Sequence, residues 1–208
     1  MSLLSHRMRR AVSGVGVGGG VFATWGDIGD DITLSNGDLT TTHASLAEWD
    51  GFRANIAITR KTYWEITCDI LVTQFLHTGI GEVGAPLSNP NFFIDAGENG
   101  FSYYGPSGTT YHELVSKSFG ATYDTGHVIG HAFDPGDGTD GKLWWSKNGV
   151  WQNVTLQTDP GNGLNPQYSS VTGPQYPIAM LRLAGQVTAD FGQGGFAHTP
   201  PTGFEGLY

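Results

Sequence analysis

Glu65 and Asp69 are the first pair of side chains whose types suit acid–base chemistry. They lie in residues 63–72, where apolar and polar residues alternate as on a β-strand. Four residues of strand span about 13 Å, whereas glycoside hydrolysis needs its two carboxyl groups roughly 5 to 9.5 Å apart. The remaining acids Glu82, Asp95, Glu98 and Glu113 fall in loops and read as solvated charge. His127 and His131 carry the i, i+4 spacing of a helical metal site, but on a strand one ion cannot bridge them, so they read as packing or hydrogen-bonding residues. Asp134, Asp137 and Asp140 sit in a glycine-rich turn that lacks the further oxygen ligand and distal Glu of a calcium loop. Cys68 is the single cysteine; on the apolar face of its strand it reads as a small buried residue and leaves no internal disulfide. No Ser-His-Asp or Cys-His order is present. The reading is a non-enzymatic chain with no cofactor and no metal ligand set.

Three other stretches carry residues suited to recognition. Residues 48–53 place Trp49, Phe52 and Arg53 among turn formers, and residues 90–95 do the same with Phe92 and Phe93. Residues 157–176 contain one charge in twenty residues, with Asn, Gln, Ser, Gly and Pro around Tyr168 and Tyr176. A neutral stretch of that length with rigid aromatics resembles an adaptable contact surface. With Tyr103, these residues are the candidate ligand-binding set: Trp49, Phe52, Arg53, Phe92, Phe93, Tyr103, Tyr168 and Tyr176. Stacked aromatics and neutral amides suit hydroxyl-rich ligands or a flat protein surface. The competing reading is structural, with the same rings folded back to plug the ends of the domain.

The elements that must position these residues are strands. Thirty-two glycines, ten prolines and 12% aromatic residues describe turn-rich β structure, and no window holds a helical apolar stripe. Residues 126–151, GHVIGHAFDPGDGTDGKLWWSKNGVW, predict three consecutive antiparallel strands, turned first at 134–141 and then at Asn148-Gly149. Since neighbouring strand residues face opposite sides, Trp144 or Trp145, but not both, should enter the core. Ile32 and Leu34 turn at Asn36-Gly37 into residues 39–42, an opening hairpin. Ala54, Ile56 and Ile58 share a face. Trp64, Ile66, Cys68, Ile70 and Val72 face the core of the longest strand, with Glu65, Thr67 and Asp69 outward; Val187, Ala189 and Phe191 close the domain. Trp64, Phe133, Trp144 and Phe191 are the expected core anchors. Two such sheets, each burying one face, make a two-layer antiparallel β-sandwich.

GHVIGHAFD followed by LWWSKNG resembles the paired signature of the SPRY family. Residues 63–66 (YWEI), 79–81 (GIG), 100–104 (GFSYY) and 189–192 (ADFG) resemble its other strands, in order, across roughly residues 25–205. The sequence departs from that pattern at His127, where the family usually has Asp, and at His131, where it usually has a small apolar residue. The resemblance implies an all-β, concanavalin-like jelly roll that serves as a binding module. It also implies a rival to glycan contact, namely a cytoplasmic adaptor that captures a short peptide of a partner protein.

The net charge of −9 disfavours a polyanion, so the globular part should not bind nucleic acid. No apolar run is long enough to span a bilayer. Residues 1–24 read as a separate arm before the domain at 25–208. Its basic head holds Arg7, Arg9 and Arg10, no acid precedes Asp27, and its glycines cannot pack a core alone. Leu3, Leu4, Arg7, Met8, Arg9 and Arg10 are the expected anchor to other subunits of a larger assembly, homo-oligomeric association included. Arm plus one surface-like β domain resembles the layout of a minor bacteriophage virion protein, such as a decoration, head-fibre or receptor-binding subunit contacting a host-surface glycan or another particle protein.

Overall fold

The alternation that marks the strands in the sequence is set by two stacked sheets, each with one face on a shared core. The computed structural model describes residues 20–89, 91–93, 100–153 and 156–208. In chain order the strands are β1 (Trp25–Ile28), β2 (Ile32–Ser35), β3 (Thr40–His43), β4 (Trp49–Ala54), β5 (Thr62–Ile70), β6 (Leu76–Gly81), β7 (Gly100–Tyr104) and β8 (Thr109–His112). They continue with β9 (Val115–Ser118), β10 (Val128–Asp134), β11 (Gly141–Lys147), β12 (Val150–Trp151), β13 (Tyr168–Val171), β14 (Tyr176–Arg182) and β15 (Gln186–Asp190). One 3-10 turn, Pro160–Asn162, is the single helical element among the described residues. One sheet runs β1-β4-β14-β6-β7-β8-β9 and the other β12-β11-β10-β5-β15-β3-β2, with β13 beside β11. Every pairing between these strands is antiparallel among the described residues, with one isolated parallel bridge from Thr62 to Glu205. This is the all-β sandwich expected from the pattern.

Phe52, Leu76, Ile80, Phe101, Tyr103 and Leu181 of the first sheet meet Trp64, Ile66, Cys68, Ile129, Phe133, Trp145 and Val187 of the second. Trp25 joins them through edge contacts with Phe52 and Phe191 at 4.7 and 5.2 Å. Burial pushes the Cys68 thiol far up, so it carries no reactive thiolate. The two foretold turns are present: Asn36, Gly37 and Asp38 join β2 to β3 with positive φ, and Asn148-Gly149 joins β11 to β12 with φ of 48° and 75°. Both central residues of the latter are left-handed, as a two-residue hairpin turn with matching twist demands.

Several expectations require correction. Trp144 and Trp145 do point to opposite faces, yet both are buried. Trp145 enters the main core, whereas Trp144 lies on the outer face of its sheet with Tyr63, Ala132 and Phe204, and its indole donates to Leu164 O at 2.9 Å. Trp144 is therefore not a core anchor between the sheets. It is buried because residues 196–204 fold back over that outer face. The same cover buries Glu65, which faces outward but is 2% exposed. Ile70 and Val72 are exposed rather than in the core. The pairing of β15 with β5 skips Asp69, matching Val187 to Cys68 and Gln186 to Ile70. That extra residue is a bulge, and it reverses which side faces inward beyond Cys68.

Residues 48–53, read as a loop, contain β4, held between β1 and β14 in the interior of its sheet. Asp50 and Gly51 look like turn formers but are required by their surroundings. Asp50 pairs with His43, and a Cβ on Gly51 would press on Leu87 at 3.1–3.2 Å. Residues 157–176 are likewise no open loop. Asp159 caps the 3-10 turn through Asn162 N, and β13 then pairs with β11.

Candidate functional site

Seven of the eight residues singled out for ligand binding are taken up in packing, five of them buried and two half-buried. Phe52 and Tyr103 are in the core, the latter donating its hydroxyl to Ala121 O. Phe92 and Phe93 are buried against Ile178 and Met180 on the outer face of the seven-stranded sheet. Arg53 is enclosed, donating to the Glu82 and Val83 carbonyls and pairing with Asp27, with the Tyr176 ring 5.4 Å from its guanidinium. Tyr168 is half-buried against Phe101, His112 and Trp145, and burial pushes its hydroxyl up to about 12. Tyr176 is half-buried beside Arg53. The structure thus does not bring the eight together, and its physical reason is the one already visible in the sequence as the rival reading: rings that large are worth most when they close a sandwich.

Trp49 is the exception, because it belongs to a cluster that the sequence reading missed. It points outward from β4 and meets Phe75 at 5.7 Å, His77 at 5.2 Å and Tyr104 at 6.2 Å. His77 stacks on Tyr104 at 4.2 Å and meets the edge of Tyr111 at 5.4 Å. Strands β4, β6, β7 and β8 and the turn before β6 thereby set five rings side by side on the outer face of one sheet. His77 is the buried centre and Trp49, Phe75, Tyr104 and Tyr111 are partly buried around it. Burial pulls the His77 imidazole down to about 3, so it is neutral at ordinary pH, and its Nδ1 lies 2.9 Å from Ser102 Oγ. Arg182 closes one side, its guanidinium 5.3 Å from the Phe75 ring and its Nε donating to Ala47 O at 2.7 Å. The available signal was the alternation in β7: once Phe101 and Tyr103 face inward, Tyr104 must face outward.

The acids with catalytic spacing have other roles. Glu65 accepts hydrogen bonds from the Tyr63 hydroxyl and from the backbone N–H groups of Ala197 and His198 at 2.7, 2.7 and 2.9 Å, closed beneath the C-terminal segment. Asp69 accepts from Thr188 at 2.6 Å. Glu113 occupies a left-handed turn position, and Asp95 and Glu98 lie outside the described residues. Asp134, Asp137 and Asp140 accept from backbone N–H groups within their own turn. His131 stacks on Trp64 at 4.7 Å and 9° and bonds Thr78 at 2.8 Å; His127 Nδ1 contacts Asp124 at 2.9 Å. Both serve packing and hydrogen bonding.

No protein-family profile matches the sequence, and no curated protein sequence matches it. Solved structures do match. A human SPRY domain aligns with a TM-score of 0.56 at 16% identity, covering 79% of this chain and 96% of that one. The SPRY domain of human HERC1 gives 0.56 and 16%, covering 77% and 92%. The fold is SPRY-like.

Proposed function

We propose that this chain is a non-catalytic binding module of a larger assembly, with the ring cluster around Trp49 as its ligand-facing surface. The observation that carries this reading is the partial exposure of Trp49, Phe75, Tyr104 and Tyr111 together on one sheet face. The corresponding face of the other sheet is sealed by the chain's own C-terminal segment. Aromatic rings, a neutral imidazole and one guanidinium suit stacking on a sugar or on flat apolar groups, and no acid–base pair stands among them. The favoured ligand is a host-surface glycan, with the chain a virion subunit anchored by residues 1–24. Leu3, Leu4, Arg7, Met8, Arg9 and Arg10 of that anchor lie outside the described residues. Residues 20–24 join the domain, since Ala23 N donates to Leu207 O at 2.9 Å and Phe22 packs on Tyr208.

A second reading, capture of a partner protein's peptide in the cytoplasm or within the particle, is favoured by the edge strand β9. It is exposed throughout, with Leu114 and Val115 among the exposed apolar residues, and an unpaired strand edge can add a peptide strand. One experiment separates the two. Wild type, Trp49→Ala, Tyr104→Ala and Val115→Asp are screened on a glycan array, and hits are titrated by calorimetry. The expected result is that each ring truncation weakens glycan binding roughly tenfold or less per ring, in keeping with about 0.5–1.5 kcal/mol for an aromatic contact, while Val115→Asp binds normally. Unchanged glycan binding in both ring variants, or no glycan binding by wild type, would overturn the reading.

A further inference from the structure

Away from the ring cluster, on the opposite side of β4, three metal-ligating side chains converge. Asp31 comes from the turn opening β2, His43 from the end of β3 and Asp50 from β4, and one ligand atom of each lies within 4.8 Å of the other two. His43 Nε2 stands 3.1 Å from Asp50 Oδ2. His43 and Asp50 are 1% and 4% exposed, whereas Asp31 is open to solvent.

The surroundings leave this group short of partners. Among the described residues His43 is the only hydrogen-bond or ion-pair partner of Asp50, which leaves the second carboxylate oxygen to water or to a further ligand. The His43 Nδ1 is also buried without a partner, so every polar contact of that ring comes from the Asp50 side. A carboxylate withdrawn from water with a single partner is costly unless more charge compensates it. The backbone also makes room for the group. A Cβ on Gly29 would sit 2.5 Å from Asp50 Oδ1. Gly29 N donates to Gly51 O, and Ala44 N donates to Asp31 O, fixing the Asp31 turn beside His43 and Asp50.

We propose that Asp31, His43 and Asp50 bind a divalent transition-metal ion of the zinc class, which ties the β1–β2 turn to β3 and β4. One imidazole and two carboxylates suit zinc, with water completing the shell, and are too few oxygens for the 6–8 that calcium takes. Bond lengths of about 2.0–2.2 Å bring ligand atoms within roughly 4 Å of each other, so the site closes by a small swing of the exposed Asp31 side chain. The ion would offset the charge that the protein leaves uncompensated at Asp50.

The test uses the full chain after chelator treatment, titrated with zinc sulfate, manganese chloride and calcium chloride by calorimetry. Cobalt absorption reads the ligand set independently. The expected result is one zinc per chain, raised thermal stability with zinc, and no comparable calcium binding. D31N, at an exposed position, should keep the native circular dichroism and lose zinc affinity at least tenfold, and D50N should lose it further. Absence of zinc binding in wild type, or equal zinc binding by D31N, would overturn the proposal and leave His43 and Asp50 as a hydrogen-bonded pair alone. Since Trp49 faces the other side of β4, glycan binding by D31N reports on the ring cluster separately.

Discussion

Two neutral histidines make the chemistry of single residues measurable. Burial pulls both His77 and His131 down to about 3, while an unfolded histidine titrates near 6.5. Between those values the unfolded chain binds protons that the folded chain refuses, so stability is intact above pH 6.5 and declines as pH falls toward 3. At pH 5.5 each should cost about 1.4 kcal/mol relative to pH 7.5. Urea denaturation at the two pH values should show His131→Leu losing close to half of the part due to this pair, and an unchanged pH slope would refute the assignment. The sequence disclosed that His131 packs rather than binds metal, because strand spacing excluded the alternative. It did not disclose the partner: Trp64 is adjacent only through the pairing of β10 with β5, where His131 lies opposite Trp64. Likewise Asp31, His43 and Asp50 are separated by segments whose closure no local pattern specifies.

At the level of strands, legibility followed local chemistry. Turns that need positive φ carried Asn-Gly and were readable; the bulge at Asp69 and the identity of β4 were not, since both depend on what lies across the sheet. Gly79 shows that dependence most sharply. It looks like one more glycine in GIG, but a Cβ there would lie 1.8 Å from Phe101 O and 2.9 Å from Phe101 C, backbone atoms of the neighbouring strand. By contrast Gly37, with φ of 65°, has open space around it. Gly79→Ala must therefore pry β6 from β7 and should cost more than about 3 kcal/mol, whereas Gly37→Ala meets only left-handed strain of about 1–2 kcal/mol. Denaturant midpoints of the two variants decide the matter; similar losses would mean that the close approach of the strands is not limiting.

For the whole molecule, both outer sheet faces are covered in part by the chain itself, one by the C-terminal segment and the other by Phe92 and Phe93, beside which the ring cluster stays partly exposed. Closure depends on Glu65. Its carboxylate has four polar partners, the Tyr63 hydroxyl, the backbone N–H groups of Ala197 and His198 and the His198 Nδ1 at 3.1 Å, and so fixes the segment that lays Phe196 on Tyr63 at 4.8 Å and Phe204 on Trp144 at 6.2 Å. None of this was legible in the sequence, because Glu65 and residues 197–198 are distant along the chain and an outward strand acid ordinarily meets water. Glu65→Gln keeps the shape but replaces one acceptor oxygen with a donor facing donors. Breaking a buried, charge-assisted set of this kind costs about 3 kcal/mol or more. The C-terminal segment should then detach before the sandwich unfolds, since the main core lies between the sheets and does not contain it. Limited proteolysis of E65Q is expected to clip the chain near residues 192–198 under conditions where wild type resists, and a dye for exposed apolar surface should bind the variant through the uncovered Tyr63 and Trp144. Binding at the Trp49 face should survive, being on the other sheet. Loss of that binding together with the cover, or resistance of E65Q to cleavage, would mean that the two faces are not independent in the way this architecture requires.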